Sequence, residues 1–211
     1  MDCNRTYDAL RQTILQKMRG ESVKLKINRL NLGCGKRIRK GFVNLDCVNI
    51  KGVDIVYNLE ETDKKRLPFS DNQFDYILAD NVMEHIENFL PLMKEIHRVA
   101  KRNSIIDIIV PHFRSFGAFS DPTHKRFFTT STFDYFEPDN PNNYYIGTRF
   151  EVISKKLSFG FLDAKILRAR IFNLIIKPLE FFTNINPGIY DKLFSQYIPP
   201  LSIYFRIKVL K

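Results

Sequence analysis

The chain of 211 residues has no tryptophan, no long apolar run and only three cysteines. Cys3, Cys34 and Cys47 form no CxxC pair, which argues against a disulfide or zinc framework and for a reducing compartment. No stretch of about 18 consecutive apolar residues is present, so no segment is expected to span a membrane. The first residues, MDCNRTYDALRQTILQKMRG, are mixed and charged. No signal peptide is expected there, and the expected location is cytoplasmic. Internal repeats and flexible linkers are also missing, which fits a single domain over 1–211.

What is abundant is positive charge. The net charge is +10, and residues 1–41 hold eleven Lys/Arg against three Asp/Glu. Such an excess suits an anionic partner (nucleic acid, anionic lipid or a phosphorylated substrate) or simply a Lys-rich solvated surface. No RNA-binding motif accompanies it.

Hydrophobic periodicity lays out the elements. Leu10, Ile14, Leu15 and Met18 predict an amphipathic helix over 6–19, inside an N-terminal segment 1–22. VKLKINRLNLG, GFVNLDCV, GVDIVYNL and FDYILAD read as four successive strands. HIENFLPLMKEIHRVAKRN reads as a helix with one apolar stripe, and SIIDIIVP as a central strand apolar on both faces. RFEVISKKLSF and AKILRARIF read as further strands, and SIYFRIKVLK as the closing one. LIIKPLEFFTNINPGIYDKLFSQYIPP reads as two short helices broken by Pro178 and Pro187, within a C-terminal part 174–211. The expected fold is α/β with a mainly parallel seven-stranded sheet and an antiparallel last strand. Residues 112–148, rich in Phe, Tyr, Asn and Pro, break the alternation and read as a functional insertion.

The first strand runs into NLGCG, Asn31 to Gly35, and Asp46 ends the second strand eleven residues past Gly35. Paired glycines let a backbone turn tightly against a ligand, and a carboxylate at that place can accept hydrogen bonds from both ribose hydroxyls. The third glycine of a dinucleotide fingerprint is missing, since Ile38 stands there. The link to the second strand is also too short for a full crossover helix, so no long helix N-terminus is placed to hold a pyrophosphate. A nucleoside cofactor without phosphate fits better than NAD, and S-adenosylmethionine is such a cofactor.

The run LNLGCG…GFVNLD…DIVYNL…LPFSDNQFDYILADNVMEHI resembles the class I S-adenosylmethionine-dependent methyltransferases, with a Rossmann-like fold shortened after strands one and two. The resemblance covers residues 28–136. It implies that Asn31, Gly33, Cys34 and Gly35 pass beneath the methionine end of the cofactor and that Asp46 holds the ribose. It implies that Asn58 and Leu59 lie near the adenine, and that Asp80 and Asn81 line the transferring methyl. Asn81 departs from the residue common there. Glu84 and His85 match the family's EH pair, with His85 facing the substrate or anchoring the corner.

Acceptor chemistry is expected beyond strands four and five, where open α/β sheets bind ligands. His112 and His124 are the candidate bases there, with Asp121 as an orienting carboxylate. Arg114, Lys125 and Arg126 are candidate contacts to an anionic acceptor. No metal is expected: Asp121, His112 and His124 make a facial set on paper, but no helical or hairpin spacing fixes them. VPHFRSFGAFSDPTHKRFFTTSTFDYF is similar to a segment of small methyltransferases linked to glycan and polysaccharide assembly, which implies a sugar or glycan acceptor. The alternatives are an RNA methyltransferase, suggested by the charge although ADNVMEH replaces an NPPY-type motif, and a non-catalytic module. A weak peripheral membrane contact through IIKPLEFF…YIPPLSIYF is a further reading of the C-terminal part.

Overall fold

A computed structural model describes residues 28–160 and 167–211. The helix expected over 6–19 lies outside these residues, as does the start of the first expected strand. Seven strands form one sheet: β1 (Arg29–Leu32), β2 (Val43–Asp46), β3 (Ile55–Val56), β4 (Phe74–Asp80), β5 (Ala100–Pro111), β6 (Arg149–Ser158) and β7 (Ser202–Leu210). Their order is β3-β2-β1-β4-β5-β7-β6. All pairings from β3 to β5 are parallel, and β7 runs antiparallel to both β5 and β6. The order reverses between β1 and β4, which is where an open α/β sheet leaves a crevice at its carboxyl ends.

The crossovers after β1 and β2 contain no helix, and the one before β4 contains only a 3-10 turn, Leu59–Asp63. Helices are α1 (Phe89–Val99), α2 (Phe116–Ser120), α3 (Leu167–Thr183) and α4 (Pro187–Leu193). Leu92, Met93, Ile96 and Val99 recur at helical spacing along α1 and are fully buried.

The sheet therefore has two unlike faces. Ile106, Ile108 and Val110 of β5 and Ile203, Phe205, Ile207 and Val209 of β7 are fully buried on one of them. The reading of β5 as apolar on both faces is corrected by the other one. There Asp107 accepts two hydrogen bonds from Arg206, at 2.8 and 2.7 Å, and one from the Tyr76 hydroxyl at 2.7 Å. Asp107 is buried, and these paired bonds are what make a charge tolerable there.

Two expectations for the C-terminal part are also corrected. Within AKILRARIF, residues 167–172 are helical, not extended: apolar and polar residues alternate there, but they continue into the long α3. Pro178 sits inside α3 and does not end it. The break comes at Asn184–Asn186, where Asn186 caps α4 by accepting from Ile189 N at 3.0 Å and Pro187 opens the helix. Leu174, Ile175, Phe181, Phe182 and Ile185 are exposed on this unit, while Glu180 and Asp191 are hydrogen-bonded inward.

The insertion 112–148 is half scaffold. Phe128, Phe133 and Phe136 are buried, and the Phe133 ring lies 5.9 Å from Phe89 of α1 and 4.7 Å from Phe205 of β7, centroid to centroid. These rings weld the insertion to the helix layer and the sheet. Phe116 and Phe119 of α2, by contrast, are exposed. Phe133→Ala should remove this weld and cost about 3–5 kcal/mol, the range for emptying a buried aromatic site. Urea unfolding checks it; a loss well under 1 kcal/mol would show that the cluster is not a common core.

Candidate functional site

The loop after β1 begins the site. Gly33 has φ +61°, and a Cβ there would stand 2.1 Å from Val82 Cγ2, so the loop approaches the β4 corner closer than any side chain permits. Gly35 has φ +48°, and a Cβ there would meet nothing within 4 Å. One glycine packs and the next opens onto space. That space is a cavity of about 290 Å3 bordered by Gly33, Gly35, Asp46, Asn58, Leu59 and Asn81. Cys47, Val82, His85 and Ile86 complete its wall. Larger depressions exist elsewhere on the described surface, but this one lies at the carboxyl ends of β1, β2 and β4.

Asp46 is placed by the backbone. Its Oδ2 accepts from Gly35 N at 2.7 Å and its Oδ1 from Val48 N at 3.0 Å. Oδ1 also accepts a weak bond from Cys47 Sγ at 3.7 Å, while Oδ2 keeps a further lone pair for a hydroxyl. Asn58 caps the 3-10 turn through Glu60 N, which fixes its position on the wall.

Three residues expected at the cofactor stand behind this wall. Asn31 is buried and donates to Arg37 O at 2.9 Å and to Asn44 Oδ1 at 3.0 Å. Cys34 is buried, and burial pushes its thiol upward. Asp80 pairs with Arg37 at 2.6 Å and with Arg39 at 3.4 Å. The cations of GKRIRKGF are thus partly spent on holding the glycine loop to the end of β4.

The stretch FSDPTHKRFF docks on the corner after β4. Lys125 N and Arg126 N both donate to Glu84 O, at 2.8 and 3.1 Å. Arg126 Nε donates to Ile86 O at 2.9 Å, and its other nitrogen to Glu87 O. Lys125 Nζ pairs with Glu60. Expected as contacts to an anionic acceptor, Lys125 and Arg126 are committed within the chain. Arg114 lies exposed over the Phe113 ring at 4.8 Å.

This docking sets His124 against His85, ring centroids 4.7 Å apart. Sequence suggested Asp121 as the orienter of His124. Instead His124 Nδ1 donates to Ala118 O at 2.9 Å, and Asp121 Oδ2 stands 3.9 Å from Nε2, beyond hydrogen-bond reach. Asp121 orients the other histidine. It accepts from Thr123 Oγ1 at 2.6 Å, so the Thr123 oxygen is left to accept from His85 Nδ1 at 2.9 Å. Hydrogen bonding therefore assigns Nδ1–H to both imidazoles and leaves both Nε2 lone pairs free. Burial, and then His124, push His85 below its usual range, which keeps it neutral at neutral pH.

Glu84 lies beneath the pair, 1% exposed, and its Oε2 has no hydrogen-bond partner among the described residues. Burial pushes its carboxyl up to about 7, with Asp80 and Asp121 adding to the effect. Sequence marked Glu84 as half of a motif pair but gave no sign that it is the buried one.

His112 is placed away from the cavity and loses its candidacy as a base. It is fully buried, its Nε2 bonds Asp191 at 2.8 Å, and its Nδ1 accepts from Arg114 N at 3.1 Å. Asp191 also accepts from Thr130 N and Thr130 Oγ1, both at 2.8 Å. Burial alone would raise the Asp191 carboxyl, but these bonds, led by His112, hold it down at about 2. With the folded value below the unfolded one, the stabilisation is full above about pH 4 and fades as pH falls toward 2. Asp191→Asn should cost about 2 kcal/mol at pH 7 and flatten the loss between pH 4 and 2. Urea titrations across that range check it; an unchanged acid limb would contradict the assignment.

Comparison with known proteins comes down on the same region. Residues 30–108 match the family model described as a methyltransferase domain. Among solved structures, an S-adenosylmethionine-dependent methyltransferase from Archaeoglobus fulgidus aligns with TM-score 0.51 and 16% identity, covering 95% of this chain and 93% of that one. A methyltransferase assigned to the same cofactor from Listeria monocytogenes gives TM-score 0.52 and 12% identity over 88% and 91% of the two chains. Phosphoethanolamine N-methyltransferase 2 of Haemonchus contortus, solved with S-adenosyl-L-methionine, gives TM-score 0.53 and 18% identity over 95% of this chain and 52% of that one. A curated relative, the protein MJ0638 of Methanocaldococcus jannaschii, is 43% identical over 44 residues, 21% of this chain and about a fifth of its own length.

Proposed function

We propose that the class I methyltransferase domain carried by this chain uses S-adenosylmethionine to methylate a hydroxyl of a sugar, a glycan or a similar small acceptor. The observation that carries the reading is the juxtaposition of the cavity framed by Gly33, Gly35 and Asp46 with the His85–His124 corner, His85 belonging to both.

When bound, the cofactor supplies an activated methyl group on a sulfonium. Asp46 suits the ribose hydroxyls, and Asn58 and Leu59 suit the adenine edge. What remains for the protein is alignment and removal of the acceptor's proton. A sugar hydroxyl holds its proton tightly, so the free Nε2 atoms of the histidine corner are matched to it.

The acceptor side also carries an aromatic surface. Phe119 and Phe127 stack 4.6 Å apart and are exposed, and Phe116 beside them is exposed as well. Such a surface suits the apolar face of a sugar ring. An RNA acceptor draws support from the net charge of +10. Against it, Arg37, Arg39, Lys125 and Arg126 around the site are engaged by Asp80, Glu60 and backbone carbonyls.

Tritiated-methyl transfer into glycan, lipid and RNA fractions separates the acceptors. Label in the glycan fraction is expected, and label confined to RNA would overturn the assignment. His124→Ala should lower turnover at least about 100-fold, the scale of acid–base assistance, with cofactor affinity and melting temperature retained. Unchanged turnover would remove the histidine corner from the reaction.

A further inference from the structure

We propose that Glu84, His85 and His124 bind a divalent transition-metal ion on the acceptor side of the cavity. One potential ligand atom from each of the three lies within 4.8 Å of the others. Across an ion with bonds of about 2.1 Å such atoms stand about 3.4 Å apart, a gap that side-chain rotation closes.

Three features point to a cation, the second and third read from the same hydrogen bonds. The first is the unpartnered, buried Glu84 Oε2. A carboxylate out of water needs a positive partner. The neighbouring cations are committed: Arg37 to Asp80, Lys125 to Glu60, and Arg126 to the carbonyls of Ile86 and Glu87. The second is the tautomer of both imidazoles, which leaves Nε2 on each as a lone pair.

The third is the ring of supporting contacts. A metal-binding histidine almost always donates its other N–H to a carboxylate, a backbone carbonyl or water. His124 donates to the Ala118 carbonyl, and His85 reaches the Asp121 carboxylate through Thr123. A proton on Glu84 would satisfy the carboxylate alone. An ion satisfies all three groups together. Two imidazoles and one carboxylate suit Mn2+, Fe2+, Co2+ or Zn2+ better than Mg2+ or Ca2+, which prefer oxygen alone.

The ion's role in the reaction rests on the methyl-transfer reading; its binding does not. With the ion bound, both Nε2 atoms are ligands rather than bases, and an acceptor hydroxyl oxygen on the ion gives up its proton to solvent more readily instead. That oxygen then forms the new bond to the methyl carbon as the carbon–sulfur bond breaks, its electron pair staying on sulfur. The products are a methyl ether, the thioether and one proton, with the ion unchanged.

Chelator-treated full-length protein titrated with Co2+ tests this, read by calorimetry and by the visible bands of the bound ion. One site at micromolar affinity or tighter is expected. Glu84→Gln, His85→Ala and His124→Ala should each weaken it at least tenfold, and His97→Ala, which bonds only Leu210 O on another face, should not. Glu84→Gln keeps the side chain's shape, so it remains informative where a histidine variant fails to fold. No Co2+ binding by the wild type, or binding that survives all three substitutions, overturns the proposal. Binding of S-adenosylhomocysteine without Co2+ would remove the metal and leave methyl transfer; Co2+ binding without S-adenosylhomocysteine would do the reverse.

Discussion

The carbonyl of Glu84 receives two backbone N–H groups, from Lys125 and Arg126, and the chemistry of the site depends on that junction. It joins the end of β4 to a loop forty residues further on. Arg126 strengthens it at Ile86 and Glu87, and Lys125 extends it to Glu60, next to the Asn58–Leu59 wall of the cavity. Without this clamp His124 would have no reason to stand 4.7 Å from His85, and Glu84 would not be covered. Charges that look like ligand contacts in a linear reading are what fastens the loop.

The rest of the fold holds the two sides of that junction still. The aromatic cluster around Phe133 fixes residues 128–136 to α1 and β7. The buried His112–Asp191–Thr130 network ties the end of β5 to α4. On the other side, Gly33 lets the β1 loop press against Val82, and the Arg37–Asp80 pair keeps it there. The cavity is thus framed by one loop that cannot carry a Cβ and one corner that cannot lose its clamp.

Much of this architecture is legible in the sequence because it follows local rules. The apolar stripe of α1, the alternation of β7 and the turn signals between strands locate those elements within a few residues. The eleven-residue interval from Gly35 to Asp46 already shows that no helix fits after β1. Local rules also explain the errors. AKILRARIF alternates like a strand, yet it leads into a seventeen-residue helix whose length outweighs the alternation. β5 reads as apolar on both faces because the pairing that makes Asp107 tolerable, with Arg206, spans 99 positions. His112 resembles His124 in sequence context, and only its bond to Asp191, 79 residues away, separates the scaffold histidine from the one in the site. The grouping of Glu84 with His85 and His124 has the same character: the pair is local, its third member is not.

The central claim is that the cavity between the β1 loop and the β4 corner holds S-adenosylmethionine through Asp46. Calorimetric titration of S-adenosylhomocysteine into the wild type and into Asp46→Ala tests it most directly. The account predicts one site in the wild type and a loss of affinity of at least tenfold in the variant, with the melting temperature of the free protein little changed. No binding by the wild type would contradict the account, and equal binding by both proteins would contradict the place given to Asp46.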